Sequence, residues 1–205
     1  MRQNEFMVKS ISQVSLKRGN MKQVLTDRLC RIKLLAMDVD GVLTDGGIHY
    51  DEQGNEWKRF DVTDGLGLHL LRLGGIKTAW ITGRTHAGVK RRSEELKIDY
   101  LLQGAGDKRQ ALAQISELSG VDMDDIGYIG DDWNDLPAYE IAGCRFAPSS
   151  ASLRMKEAAD MVTAASGGSG AVREVCELIL NSQHLVERVT EAYIREIRKS
   201  GIGAQ

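Results

Sequence analysis

Cysteine is scarce in this chain of 205 residues: Cys30, Cys144 and Cys176 are an odd number at wide, irregular spacing. They frame neither a disulfide scaffold nor a zinc site, and read as reduced thiols. Aromatic residues make up only 5%, too few for a platform on which nucleic-acid bases would stack. A dominant charge is missing too, since 27 Lys/Arg against 29 Asp/Glu leave a formal net charge of −2. That balance gives no reason to expect a nucleic-acid partner. No long apolar run is present, and the first residues lack the apolar core of a signal peptide. The expectation is a cytoplasmic protein with no membrane partner, long enough for one good core plus tails.

The first stretch differs from the rest. Residues 1–33 hold eight Lys/Arg and two Asp/Glu, a local charge of +6, with little regular apolar pattern before Val24. Residues 1–30 read as a flexible basic extension, with a membrane- or nucleic-acid-binding arm as the alternative. A short helix is expected over 24–31, leading into the first strand.

From Ile32 onward, short apolar stretches alternate with helical patterns. Strands are expected at 32–38, 77–82, about 99–102 and 126–130, with another near 144–147 or 160–163. Helices are expected at 65–73, 85–96, 107–119, 133–141, 151–158, 171–181 and about 184–199. This alternation predicts a parallel sheet covered on both faces, a Rossmann-like three-layer α/β fold. It divides the chain into one α/β domain over 31–182 and a C-terminal helical tail over 183–205.

Chemistry gathers where the strands end. Asp38-Val39-Asp40-Gly41 follows the apolar run Leu34-Leu35-Ala36-Met37. Two carboxylates on alternate residues face one side and repel each other unless a divalent cation sits between them. Gly41 lets the backbone turn away and leaves the pair open. One aspartate can then attack while the other moves protons beside Mg²⁺. Three further pieces follow in order: Thr82-Gly83-Arg84 after an apolar strand, Gly106-Asp107-Lys108, and Gly130-Asp131-Asp132-Trp133-Asn134-Asp135. A hydroxyl, a lysine and a second acidic cluster complete what aspartyl phosphoryl transfer requires. This order of four motifs resembles the haloacid dehalogenase superfamily of phosphatases, over roughly residues 31–180. Receiver domains use similar residues, but there the phosphoacceptor stands on a later strand than the acidic pair. Here the DxD comes first, which favours turnover over phosphate storage.

One stretch breaks the alternation. Gly46-Gly47-Ile48-His49-Tyr50 and Glu56-Trp57-Lys58-Arg59-Phe60 flank Asp51-Glu52-Gln53-Gly54-Asn55, and read as a β-hairpin over 46–61. Thr82 lies 44 residues after Asp38, and Lys108 lies 26 residues after Thr82. Neither gap can hold a cap domain, which would need roughly fifty residues or more. A site without a lid must exclude water by other means, and a neighbouring subunit docked through the hairpin is the expected substitute. Ile48, Tyr50, Trp57 and Phe60 would otherwise sit exposed on a small ribbon. A hairpin folded back on its own sheet, and an open site for a macromolecular substrate, are the alternatives.

A closer similarity rests on six stretches taken together. These are Asp38-Val39-Asp40-Gly41-Val42-Leu43-Thr44-Asp45-Gly46, Phe60-Asp61-Val62-Thr63-Asp64-Gly65-Leu66-Gly67, Ile81-Thr82-Gly83-Arg84, Tyr100-Leu101-Leu102-Gln103-Gly104, Tyr128-Ile129-Gly130-Asp131-Asp132, and 167–176. The set resembles the capless 3-deoxy-D-manno-octulosonate 8-phosphate (KDO 8-phosphate) phosphatases of lipopolysaccharide biosynthesis. The resemblance implies a Mg²⁺-dependent homotetramer that acts on a small phosphorylated sugar acid, with neighbouring subunits completing each site. It implies Asp38 as nucleophile, Asp40 as general acid/base, and Mg²⁺ held by Asp38, the Asp40 carbonyl and Asp131. Thr82 and Lys108 would bind the phosphoryl group, with Asp132 and Asp135 orienting Lys108 and the metal waters. Gly83, Arg84, Arg92, Asp64, Gly65 and Arg173 fall at substrate-side positions. Two positions depart from the family: Thr63 and Ser169 stand where a basic residue is frequent. Phosphatases of nine-carbon sialic-acid-like 9-phosphates share the scaffold, as does an assembly domain attached to some N-acylneuraminate cytidylyltransferases. Gly167-Gly168-Ser169-Gly170 lacks the lysine of a phosphate-binding loop and reads instead as a flexible joint.

Overall fold

The computed structural model describes residues 23–202, so the basic extension lies outside the described residues up to residue 22. Helix α1 (23–31) leads into strand β1 (Leu34–Met37) at the centre of the molecule. A small hairpin of β2 (His49–Tyr50) and β3 (Glu56–Trp57) follows, then α2 (Val62–Leu73) and β4 (Lys77–Thr82). Next come α3 (Ala87–Leu96), β5 (Tyr100–Gln103), α4 (Lys108–Ser119) and β6 (Ile126–Ile129). The chain closes with α5 (Leu136–Tyr139), β7 (Cys144–Ala147), α6 (Leu153–Ala158), β8 (Met161–Val162), α7 (Ala171–Ser182) and α8 (Val186–Ile202).

The six-stranded sheet runs β5-β4-β1-β6-β7-β8, with every pairing parallel. Side chains alternate across a strand, so the continuous apolar run of β1 feeds two cores. Leu35 and Met37 join Trp80, Ile129 and Phe146 under α2, α3 and α7. Leu34 and Ala36 join Ala79, Ile81 and Tyr128 under α4, α5 and α6. Three layers result, with the sheet covered on both faces, and both of the late strands proposed as alternatives are present.

Three local expectations change. Helix α2 begins at Val62 rather than 65, because Asp61 caps it by accepting from Thr63 N. Its Gly67 sits inside the helix for close approach to α7, since a Cβ there would stand 3.1 Å from the Arg173 Cα. The helix expected at 133–141 is a 3-10 turn, Trp133–Asp135, followed by the single turn of α5. The glycines at 167–170 are no flexible joint. Gly168 N donates to Val42 O at 2.9 Å, and a Cβ on Gly167 would lie 1.8 Å from Gly41 O. Those glycines let the segment lie directly against the loop that follows β1.

The C-terminal helix α8 docks on α2. Val189 is buried, Arg188 Nη2 donates to Gly74 O at 2.8 Å, and His69 meets Glu196 at 2.8 Å. No helix among the described residues is long and apolar enough to cross a membrane.

Candidate active site

Parallel strands point their carboxyl ends the same way, and ligands bind there. Asp38 N donates to Ile129 O at 3.0 Å, which carries the sheet one residue past β1 and sets the Asp38 side chain between β4 and β6. Gly41 then takes φ +91°, and a Cβ on it would stand 2.0 Å from Asp131 Oδ2. Only glycine lets the turn pass this close to the second acidic cluster. Thr82 ends β4, and its hydroxyl accepts from Arg84 N at 3.2 Å. Lys108 opens α4, whose N-cap Asp107 accepts from Arg109 N and Gln110 N.

These pieces converge on a cleft of about 290 Å³ lined by Asp38, Asp40, Thr82, Gly83, Arg84, Asp131 and Asp132. Asn134 and Gly46 also border it, neither of them anticipated. At its floor the buried Lys108 Nζ lies 2.5 Å from Asp38 Oδ1, 2.8 Å from Ile81 O and 3.3 Å from Asp135 Oδ1. Asp135 is fully buried with both oxygens engaged: Tyr128 OH donates to Oδ1 at 2.7 Å and Asp131 N to Oδ2 at 3.0 Å. It therefore holds Lys108 and the turn. Asp132 is exposed and caps the 3-10 turn by accepting from Trp133 N at 2.9 Å, and it is not paired with Lys108.

Carboxylate oxygens of Asp38, Asp131 and Asp135 lie within 4.8 Å of one another. Burial first, then the neighbouring Asp135 charge, pushes the Asp38 carboxyl up to about 7 against the pull of Lys108. Asp131 is likewise pushed up to about 7 by burial, then by Asp135 and Asp38. Three crowded carboxylates with only one ammonium between them form a donor set that suits a hard divalent cation. Asp38 and Asp131 are the members whose oxygens fit that task, because those of Asp135 are already engaged.

Asp40 is held from another direction. Lys58, one residue beyond β3, donates to Asp40 Oδ1 and lies 3.0 Å from Glu56 Oε1, its own side chain only 2% exposed. Arg84 Nη2 reaches Glu56 Oε2 at 2.5 Å. Burial works against the Lys58 ammonium, but its bonds to Asp40 and Glu56 outweigh that and raise its pKa above the ordinary lysine value. In the sequence Glu56 and Lys58 stand out only as part of the hairpin. Their i, i+2 spacing puts both on one strand face, a signal that was available. His86, which caps α3, adds a 3.0 Å contact with Glu56 O.

Four expected substrate-side residues do not reach this cleft within the chain. Asp64 accepts from Arg173 N at 2.8 Å and Gly170 N at 3.4 Å, because the start of α7 offers unpaired N–H groups. Gly65 lies beneath Arg92, whose guanidinium would meet a Cβ there at 2.6 Å. Arg92 pairs with Glu95 at 3.2 Å and, with Gly65, His69 and Tyr193, lines a separate groove of about 420 Å³. Arg173 pairs along its own helix with Glu177. Phe60 is also not on the exposed ribbon, since it stacks on Trp80 with centroids 6.1 Å apart.

Among the described residues an acidic cleft stands where the parallel sheet opens with no further domain above it, the arrangement of a haloacid dehalogenase-like hydrolase without a cap. Residues 101–175 match the model of the haloacid dehalogenase-like hydrolase family. The 3-deoxy-D-manno-octulosonate 8-phosphate phosphatase of Haemophilus influenzae is 36% identical over 179 residues, 86% of this chain and 99% of the relative. That of Escherichia coli K12 is 41% identical over 152 residues, 74% of this chain and 81% of the relative. The Moraxella catarrhalis phosphatase, solved with magnesium, phosphate and KDO, superposes with a TM-score of 0.79 at 43% identity. That match covers 82% of this chain and 97% of the other. The chain belongs to the 3-deoxy-D-manno-octulosonate 8-phosphate phosphatase family.

Proposed function

We propose that this protein hydrolyses the phosphate ester of KDO 8-phosphate through an aspartyl-phosphate formed on Asp38. The observation that carries the reading is the buried Lys108–Asp38 contact at the floor of the acidic cleft, in a family with a relative solved with magnesium, phosphate and KDO. In the first half-reaction an Asp38 oxygen bonds to phosphorus, the ester P–O bond breaks, and Asp40 gives its proton to the departing alkoxide. In the second, Asp40 takes a proton from water, whose oxygen bonds to phosphorus and frees Asp38. The Thr82 hydroxyl and the Lys108 ammonium donate to the phosphoryl oxygens where charge is greatest. Asp38, the Asp40 carbonyl and Asp131 would hold Mg²⁺, which neutralises phosphoryl charge and keeps Asp38 ionised.

The sugar acid brings a carboxylate, and Arg84 is the arginine that this chain's own cleft supplies. We assign Arg92 and Arg173 to the rim of a neighbouring subunit's site in a homotetramer, with the buried Asp64 and Gly65 supporting them from beneath. The exposed hairpin residues Ile48, Tyr50 and Trp57 (55%, 63% and 51% exposed) support that assembly, since a two-stranded ribbon is weak alone. The reaction belongs to lipopolysaccharide biosynthesis in the cytoplasm. Measuring phosphate release across phosphorylated eight- and nine-carbon sugar acids tests the substrate. KDO 8-phosphate should give the highest kcat/KM, and a higher value on a nine-carbon 9-phosphate would overturn the assignment.

A further inference from the structure

The hairpin has too little ladder to hold itself over the cleft: each strand is two residues long. What ties it down is polar. Lys58 reaches the loop after β1 at Asp40, Glu56 reaches Arg84 beyond β4, and His86 meets the Glu56 carbonyl. Of these, the Lys58 contact is the most buried, with a side chain 2% exposed whose ammonium stands between two carboxylates. An ammonium placed there forfeits most of its hydration, and only its two partners offset that loss.

A carboxyl group that transfers a proton must present a defined oxygen to the leaving group, within hydrogen-bond reach. Lys58 occupies Asp40 Oδ1, which leaves Oδ2 to carry the proton. We propose that Lys58 is a positioning residue for proton transfer: from the hairpin it fixes which oxygen of Asp40 faces the departing group and where it stands. The proposal rests on the reading of Asp40 as general acid. In the step it serves, the Asp38–phosphorus bond forms, the ester P–O bond breaks, and the proton on Asp40 Oδ2 passes to the alkoxide. Asp40 is left ionised beside the Lys58 ammonium. The hairpin thereby becomes part of the catalytic geometry as well as an edge of the site.

The test compares leaving groups, because a merely structural role would slow all of them alike. Wild type, Lys58→Met, Lys58→Arg and Asp40→Asn are assayed for kcat/KM on p-nitrophenyl phosphate, phenyl phosphate and KDO 8-phosphate. This ratio reports only the steps up to departure of the leaving group. Nitrophenolate leaves without a proton, phenolate needs one more, and the sugar alkoxide most. Lys58→Met should lose about tenfold to a hundredfold on KDO 8-phosphate, less on phenyl phosphate, and within about threefold on p-nitrophenyl phosphate. Lys58→Arg should regain most of the loss, and Asp40→Asn should show the same ordering more steeply. Equal loss of all three substrates in Lys58→Met, with the ordering intact in Asp40→Asn, would overturn the role of Lys58 alone. An Asp40→Asn variant with no ordering would overturn the reading of Asp40 and the proposal with it. A Lys58→Met defect confined to KDO 8-phosphate, with both aryl esters turned over as by wild type, would make Lys58 a sugar ligand and also overturn it.

Discussion

Lys108 Nζ stands 2.5 Å from Asp38 Oδ1, joining the start of α4 to the end of β1 across 70 positions of sequence. The same ammonium lies 3.3 Å from Asp135, so a single cation serves two buried carboxylates. The arrangement suits the proposed phosphoryl transfer, in which the group that holds the attacking oxygen in place would also donate to the incoming phosphoryl.

Lys108→Met should remove the cation and leave Asp38 and Asp135 facing each other. Breaking one side of a buried charge pair costs about 3–5 kcal/mol, and turnover should fall with it. Denaturant unfolding together with phosphate-release assays checks both. A variant as stable and active as wild type would show that the contact is incidental.

Acidity gives a second prediction, in the metal-free protein. Asp38 and Asp131 are pushed up to about 7, above ordinary aspartate values. Below the ordinary range both folded and unfolded chains hold these protons, and the contribution to stability is intact. As the pH climbs toward and through 7, the unfolded chain has already released its protons, so this contribution is lost. A divalent cation held by Asp38 and Asp131 would take the place of those protons. The gap in Tm with and without Mg²⁺ should therefore widen between pH 5.5 and pH 8, and differential scanning fluorimetry would read it. A constant gap would contradict the assignment of these carboxylates to the metal site.

Assembly supplies a third. Ile48→Lys and Trp57→Glu should split the proposed tetramer, as read by sedimentation, and lower activity on KDO 8-phosphate more than on p-nitrophenyl phosphate. A wild type that sediments as a fully active monomer would refute the assembly.

Arg92 lies outside its own chain's cleft, which makes complementation a direct test. Removing it should raise KM for KDO 8-phosphate by a charge-assisted hydrogen bond's worth, about 1.5–3 kcal/mol. Co-assembling Arg92→Ala subunits with Asp38→Asn subunits should restore part of the activity, because an intact Arg92 then borders an intact Asp38. No recovery in verified mixed tetramers would mean that Arg92 does not act across the interface.

Much of this was legible in the sequence where one signal served one purpose. The apolar run before Thr82 ends at the strand's observed end, and the four motifs fall at strand ends because parallel topology puts their carboxyl termini together. Legibility failed where a residue type served a second purpose. Gly65 and Gly67 fall within the helix expected from 65, but nothing in the sequence shows that they serve close packing, beneath Arg92 and against α7. Gly167 and Gly168 read as a hinge, yet they let two backbones touch. Lys58 read as a polar position on a ribbon, and only the folded hairpin brings it to Asp40. Spacing alone gave no sign that Arg92 would turn toward α2, since that depends on the gap left by a glycine on another helix.

The central claim is that phosphate passes through Asp38. The measurement that tests it most directly is rapid acid quench during turnover of ³²P-labelled KDO 8-phosphate with Mg²⁺, followed by peptide mapping, in wild type and in Asp38→Asn. Label on the peptide containing Asp38, with neither label nor turnover in the variant, is the predicted result. Label on a different residue, or normal Mg²⁺-dependent hydrolysis by Asp38→Asn, would contradict it.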